Sequence, residues 1–343
     1  MNTPWLEIVP LEYREAACAG LAGAFGASAT PVLQVVTGGA SGALTYRAEA
    51  SGKAYLLRIE TRRTPMRNPH QYACMQIAAD AGIAPALHYV EPDAGVAVMD
   101  FIAQRPLTDY PGGPQALVEA LGGLAARLQR TPAFPPLHEF PKAVERIFGF
   151  VRNSRLFVPG LLDPHAAAFE RIRAAYRWDE SSLVSSHNDS NAQNVLFDGE
   201  RLWLVDWETS YRNDPLTDVA IMLENFAPTP ELERSLVTAW LCDEPDDVLL
   251  ARLALMRQFT RLYYASLLLS LAAMQPCNVP EAILDAPTPE EFGAAALRGE
   301  HSPGSPATLF TLGKICLARF MAGMTAPGFD EALAMSRGVP SRP

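Results

Sequence analysis

Residues 187–218 read HNDSNAQNVLFDGERLWLVDWETSYRNDPLTD, and the fold is decided in this stretch. Val195-Leu196-Phe197 and Leu202-Trp203-Leu204-Val205 are strand-forming runs on either side of Asp198-Gly199, one of the strongest short-range turn signals. The hairpin they predict brings Asn194, just before its first strand, and Asp206, at the end of its second, to one end. Asp189 lies in the preceding loop, five positions ahead of Asn194. An amide oxygen and a carboxylate converging there suit Mg2+, which takes few protein ligands and keeps waters and phosphate oxygens for the rest. Asp189 can then accept or orient the proton of an acceptor hydroxyl, as phosphoryl transfer from ATP requires. The bland reading of Asp189 and Asn194 is loop capping, since both residue types are common in turns. His187 reads as a support that packs beneath the loop and bonds backbone. Asp218 braces the loop by accepting its N–H groups, or else caps the helix that follows.

The rest of the chain is ordinary globular material. Its 343 residues are 49% hydrophobic and 19% charged, a length suited to two domains or one bilobal one. A net charge of -10 argues against nucleic-acid binding through a basic surface. Cys18, Cys74, Cys242, Cys277 and Cys316 form an odd, scattered set with no C-x-x-C pair, which reads as reduced thiols in a cytoplasmic protein. The N-terminus lacks a basic region followed by an apolar run, so no signal peptide is expected. The apolar stretch Leu249 to Met274 is broken by Arg252, Arg257 and Arg261. It reads as a buried helix, not a membrane span.

Upstream of residue 100 the pattern is β-rich. Pro31 to Val36, Ala43 to Glu49 and Ala54 to Glu60 read as strands, with Thr37-Gly38-Gly39-Ala40-Ser41-Gly42 between the first two and Ser51-Gly52 between the next. Asn68-Pro69 should open a helix, with Asn as its cap, that ends at Gly82. Leu87 to Val90 and Val96 to Ile102 are further apolar runs. From about Ala116 the spacing becomes helical, as in Leu117, Leu121, Leu124 and Leu128. A glycine-rich turn can bring Gly38, Gly39 and Ser41 close to phosphates, offering backbone N–H groups. Arg58 is the sole charge in AYLLRI, on one face with Leu56 and Ala54. It can clamp the α- and β-phosphates with its planar fork, or it can be an edge-strand charge facing water.

These residues carry a family resemblance. TGGASG, Arg58 in LLRIE, AGIAP at 81–85, VMDFI at 98–102, HNDSNAQN and LVDWE occur in order over roughly residues 30–220. The chain resembles the protein-kinase-like phosphotransferases of small molecules, the aminoglycoside phosphotransferase and choline/ethanolamine kinase superfamily. DWETSYRNDPLTDVA is most similar to bacterial choline-kinase-type members. The resemblance implies an α+β, bilobal protein-kinase-like fold. Residues 1–100 would be a nucleotide-binding lobe with a small antiparallel sheet and one main helix. Residues 101–343 would be a larger, mostly helical catalytic and substrate-binding lobe, with a hinge at about 99–104. It further implies Asp189 as catalytic base, Asn194 and Asp206 as magnesium ligands, and Arg58 on ATP phosphates. The backbone of Asp100, Phe101 and Ile102 would hold adenine. Two departures stand out. Where relatives carry a helix Glu to pair with the strand cation this chain has Gln71, which could hydrogen-bond Arg58 without a charge. Where relatives often have Leu-His it has Leu128-Gln129.

The acceptor is the open question. Phe259, Tyr263 and Tyr264 lie at helical spacing, either as aromatic faces for a quaternary ammonium or as helix core. Glu208 could bind a substrate cation or be an ordinary salt-bridging residue. Asp243, Glu244, Asp246 and Asp247 could meet an aminoglycoside or form a solvated helix start. A choline- or ethanolamine-like hydroxyl acceptor is the leading expectation, with thiamine, sugar and aminoglycoside kinases as competitors. From another class, the rival is a catalytically silent nucleotide-binding regulatory protein.

Overall fold

The structure is a computed structural model that describes residues 7–36, 42–61, 67–274 and 280–337. In chain order its elements are α1 (Arg14–Phe25), β1 (Val32–Val35), β2 (Ala43–Ala50), β3 (Lys53–Glu60), α2 (Gln71–Asp80), β4 (Leu87–Glu91) and β5 (Val96–Asp100). Then come α3 (Gly113–Gln129), α4 (Phe140–Asn153), α5 (Asp163–Ala175), β6 (Val184–Ser186), β7 (Val195–Phe197), β8 (Leu202–Leu204) and β9 (Tyr211–Asn213). The chain closes with α6 (Leu216–Phe226), α7 (Pro230–Leu241), α8 (Asp247–Ala273), α9 (Pro289–Leu297), α10 (Pro306–Met324) and α11 (Phe329–Ser336).

Two compact units divide these elements. One comprises Met1–Pro135, Ser185–Arg212 and Thr229–Trp240, the other Pro136–Val184, Asn213–Pro228 and Leu241–Pro343. This division groups the 185–212 segment with the sheet and so follows a different line from a boundary at residue 100.

The first unit is built on a five-stranded antiparallel sheet in the order β1-β2-β3-β5-β4. The alternation of β3 sorts its residues between two faces. Leu57 and Ile59 are fully buried in a cluster with Leu21, Ala17, Tyr46, Val96 and Val98. Arg58 and Glu60 face the other way, toward α2. Because β3 is interior to the sheet, the alternative of Arg58 as an edge-strand charge does not hold. α1, an alanine-rich helix, covers the apolar face and adds a second helix to the one expected beside this sheet.

α2 begins at Gln71 with His70 as its cap, two to three residues later than the Asn68-Pro69 signal indicates. The Asn68 side chain accepts from the His70 N–H at 2.9 Å, closing a turn ahead of the helix, and donates to the Ser210 carbonyl at 2.6 Å. A long-range bond has taken the residue that local rules assign to capping. The helix ends as expected, with Gly82 at φ +65°.

The second unit is helical. α8 is its central rod, with α4, α5, α6, α10 and α11 packed on it. The arginines that interrupt its apolar run are paired inside the unit. Arg257 and Arg261 reach Glu224 at 2.7 Å, and Arg252 lies 3.6 Å from Asp214. The acidic run ahead of α8 is a helix start, where Asp246 accepts from the Leu249 N–H at 2.7 Å. α10 is the one described helix long and apolar enough to cross a membrane by length and composition alone, and it packs against α8 and α5.

Candidate active site

The β7–β8 hairpin pairs Val195 with Leu204, Leu196 with Trp203 and Phe197 with Leu202. Asp198 makes the turn rigid, its Oδ1 accepting from the N–H groups of Glu200 and Arg201 at 2.8 Å each. One step beyond the paired strands the Val205 N–H donates to the Asn194 carbonyl at 3.0 Å. The hairpin therefore sets Asn194 and the residue before Asp206 side by side, as its spacing predicts.

The Asp189 carboxylate is held by two amides. Asn191 Nδ2 donates to its Oδ1 at 2.8 Å and Asn194 Nδ2 to its Oδ2 at 2.9 Å. Asn194 Nδ2 also donates to the Asp189 carbonyl at 2.8 Å. With its amide hydrogens turned to Asp189, what Asn194 has left to offer a ligand is its carbonyl oxygen, an acceptor only. Asn191 was not singled out by sequence reasoning. Its signal is its place between the two residues it bridges.

Asp206 is the strained member. It adopts φ 66°, ψ 74°, the left-handed region that costs a non-glycine residue free energy and that concentrates at functional positions. Its Oδ1 is buried without a hydrogen-bond partner among the described residues and faces Arg58 Nη2 at 3.7 Å. An orphaned carboxylate oxygen beside an amide oxygen is a donor set that fits a hard divalent cation such as Mg2+.

Arg58 joins this group. Its guanidinium pairs with Glu208, lies near Asp206, and meets Glu60 Oε1 at 3.4 Å. Burial alone would lower the Arg58 pKa, but the charges of Glu208 and Asp206 outweigh it and raise the value. Glu208 is pushed the other way. Desolvation and the Asp206 charge raise its pKa despite the Arg58 guanidinium. The structure thus places Glu208 in the salt-bridging role, against the strand cation.

Gln71 does not touch Arg58 as expected. It donates to Glu60 Oε1, which also accepts from the Tyr72 hydroxyl at 2.7 Å, while Glu60 Oε2 lies 2.7 Å from Arg67 Nε. The carboxylate to which Gln71 donates is on the same strand as Arg58, two residues on, and α2 supplies no carboxylate to Arg58 among the described contacts.

His187 is fully buried, its ring against Trp207 at 4.7 Å and its Nε2 hydrogen-bonded to the Val205 carbonyl at 2.9 Å. Its own carbonyl accepts from the Thr209 and Ser210 hydroxyls. Asn188, at φ 62°, was passed over by sequence reasoning although asparagine is the residue that tolerates this conformation. Its Nδ2 donates to the carbonyls of Thr209 at 3.0 Å and Tyr211 at 3.2 Å. The loop holding Asp189 is strapped in this way to the segment after Asp206. Asn68 and Cys74 reach the same segment through the Ser210 carbonyl, at 2.6 and 3.4 Å.

Three expectations fall elsewhere. Gly38, Gly39 and Ser41 lie outside the described residues. The Asp100 and Phe101 N–H groups donate within the sheet, to Ala86 and Ala54, and the Asp100 carboxylate meets His88 at 2.7 Å. Asp218 is buried in the first turn of α6 but does not cap it. The N-cap position is Pro215, and ahead of it the Asp214 Oδ1 accepts from the Leu216 N–H at 2.9 Å.

The aromatic candidates on α8 divide. Phe259 is core, packed edge-on to Phe169 and Tyr176. Tyr263 and Tyr264 are half-buried neighbours with ring centroids 5.8 Å apart, and Tyr263 also meets Phe140 on α4 at 5.3 Å. All of these belong to the second unit.

An antiparallel five-stranded sheet with α2 beside it, followed by a catalytic-type loop and hairpin and a helical remainder, defines a protein-kinase-like α+β fold. Residues 32–256 match the phosphotransferase enzyme family, and the chain belongs to that family. Among solved structures, it is similar to a choline/ethanolamine kinase family protein from Mesorhizobium loti, with a TM-score of 0.66 at 22% identity over 94% of this chain and 98% of that one. Choline kinase LicA from Streptococcus pneumoniae is similar in fold, with a TM-score of 0.58 at 12% identity over 90% of this chain and 99% of that one. In sequence, the chain is 33% identical to Protein LicA of Haemophilus influenzae over 79 residues, 22% of this chain and 29% of that protein. The chain spans less than a third of the length of the curated relatives it matches.

Proposed function

We propose that this protein is a magnesium- and ATP-dependent kinase that transfers the γ-phosphate of ATP to a hydroxyl of a small cytoplasmic metabolite. One observation carries the reading. A carboxylate oriented by two amides, Asp189, shares a hairpin end with an amide oxygen on Asn194 and with Asp206, whose backbone is left-handed and whose buried Oδ1 has no hydrogen-bond partner among the described residues.

In this reading Asp189 Oδ accepts or orients the acceptor hydroxyl's proton, and Asn191 and Asn194 fix the direction in which it does so. Asn194 Oδ1 and Asp206 would hold the cation, and bound Mg2+ would neutralise charge on the phosphate oxygens. Arg58 contacts the α- and β-phosphates with its planar fork, leaving Glu208 as it does so. The backbone at Asp100 to Ile102 takes the base, and Gly38, Gly39 and Ser41 cover the phosphates. His187 and Asp218 support the loop. Residues 1–100 act as the nucleotide lobe and 101–343 as the catalytic and acceptor lobe, hinged at 99–104.

For the acceptor we propose a choline- or ethanolamine-like amino alcohol. Tyr263 and Tyr264 supply half-buried aromatic faces of the type that attract a quaternary ammonium, each contact worth roughly 0.5–2 kcal/mol. Asp246, spent on capping α8, weakens the case for an aminoglycoside.

The test is ADP release with Mg-ATP against a panel of choline, ethanolamine, thiamine, sugars and aminoglycosides. Turnover should appear with an amino alcohol, and Asp189→Ala should lower kcat by roughly 10²–10⁴-fold while ATP still binds. ATP binding with no turnover on any acceptor would favour the silent regulatory module instead.

A further inference from the structure

Arg58 has two kinds of carboxylate neighbour, and they differ in how they are held. The Glu208 side chain is 46% exposed and pairs with Arg58 across a contact in which anionic phosphates could take its place. The Glu60 side chain is 7% exposed, held by hydrogen bonds at Oε1 and by an ion pair at Oε2. Gln71 and Tyr72 from α2 donate to its Oε1, Arg67 lies 2.7 Å from its Oε2, and its backbone N–H bonds the Gly95 carbonyl at 2.9 Å. Arg67 is fixed in turn over the Tyr72 ring at 5.6 Å. A carboxylate held in this way has little freedom to follow the guanidinium, so it sets where the guanidinium goes. Strand alternation puts both on one face of β3, two residues apart, with no other element between them.

We propose that Glu60 is the positioning residue for Arg58, in the place that a helix carboxylate at position 71 would otherwise fill. Gln71 serves Glu60 as a hydrogen-bond donor, and the charge pair sits within a single strand. The charge that aligns Arg58 lies in its own strand, and α2 contributes the neutral donors of Gln71 and Tyr72 that hold Glu60 in place. The proposal rests on the ATP-binding reading above.

The Gln71–Glu60 contact suggests its own test. Exchanging the two side-chain types reverses the donor and acceptor of one hydrogen bond and moves the negative charge across it, with little change in volume. Nucleotide affinity is measured directly, by titrating Mg-ATP without acceptor, alongside unliganded Tm. Glu60→Gln should weaken ATP binding roughly tenfold, the loss of one charge-assisted contact. The KM for the acceptor should stay unchanged. The double variant Glu60→Gln/Gln71→Glu should return ATP affinity to within about threefold of the parent. Tyr72→Phe, which removes one bond to Glu60 and no charge, is the milder variant if Glu60→Gln fails to fold, and should raise the ATP Kd about threefold. A folded Glu60→Gln protein with the parent's ATP affinity would overturn the proposal, as would Tyr72→Phe with unchanged affinity. So would a double variant no better than Glu60→Gln. Failure of the parent itself to bind Mg-ATP would instead overturn the kinase reading on which all this stands.

Discussion

At Asp206 a single residue carries two costs at once, a left-handed backbone at φ 66° and a buried carboxylate oxygen without a hydrogen-bond partner among the described residues. The Arg58 guanidinium at 3.7 Å offsets part of the second cost but makes no hydrogen bond, so the residue should be retained for ligand binding at the expense of stability. Asp206→Asn is the discriminating change, because asparagine tolerates this backbone and carries no charge. We expect its unliganded Tm to equal or exceed the parent's, while kcat falls by roughly 10²-fold or more and activity no longer responds to added magnesium. A lowered Tm with magnesium response intact would defeat the assignment. Asn191 and Asn188 illustrate a subtler point at this scale. Both are short amides one would pass over as loop residues, yet one aims Asp189 and the other ties its loop to Thr209 and Tyr211.

At the scale of elements, the helices and strands follow local pattern closely and their contacts do not. α3 lies so near α7 that a Cβ at Gly122 would stand 2.4 Å from the Leu236 carbonyl oxygen and 2.9 Å from the Trp240 nitrogen, both backbone atoms that cannot turn aside. At Gly123, one residue on, nothing lies within 4 Å. The two positions should respond oppositely to alanine. Gly122→Ala should destabilise by about 1–3 kcal/mol through forced separation of the helices. Gly123→Ala should stabilise by up to about 1 kcal/mol through helix propensity. Urea unfolding of the pair checks both, and equal effects would mean the helices are not this close. The pattern LGGL in the sequence marks neither glycine as different from the other.

For the molecule as a whole, Glu60 links stability to pH. Burial pushes its carboxyl up, but hydrogen bonds from Tyr72 and Arg67 and the charges of Arg67 and Arg58 prevail and hold it below the usual 4.5. A group lowered on folding contributes stability above its unfolded value and loses that contribution as pH falls through its folded one. The Tm gap between the parent and Glu60→Gln should therefore be full at neutral pH and shrink as pH falls below about 4.5. A gap that stays constant across acid pH would show that Glu60 acts by shape alone. Much of this molecule was legible beforehand. The five strands, the end of α2 at Gly82, the turn at Asp198 and the cluster of Asp189, Asn194 and Asp206 all follow from rules that act within a few residues. The start of α2, the cover provided by α1 and the division of Phe259 from Tyr263 and Tyr264 do not, because each depends on what packs against it.

The sequence by itself determined which chemical groups stand together on the hairpin, since a turn and two short strands suffice to bring Asn194 beside Asp206. Only the tertiary structure decided which group holds Arg58. Local reading pointed to Gln71, whereas three carboxylates surround Arg58 in the fold, the farthest 150 residues away in the chain, and the choice of Glu60 and Glu208 over Gln71 was made by how β3, α2 and the 206–210 segment meet. Partnership between side chains is settled by distance and desolvation in the folded chain, and neither is written in local spacing.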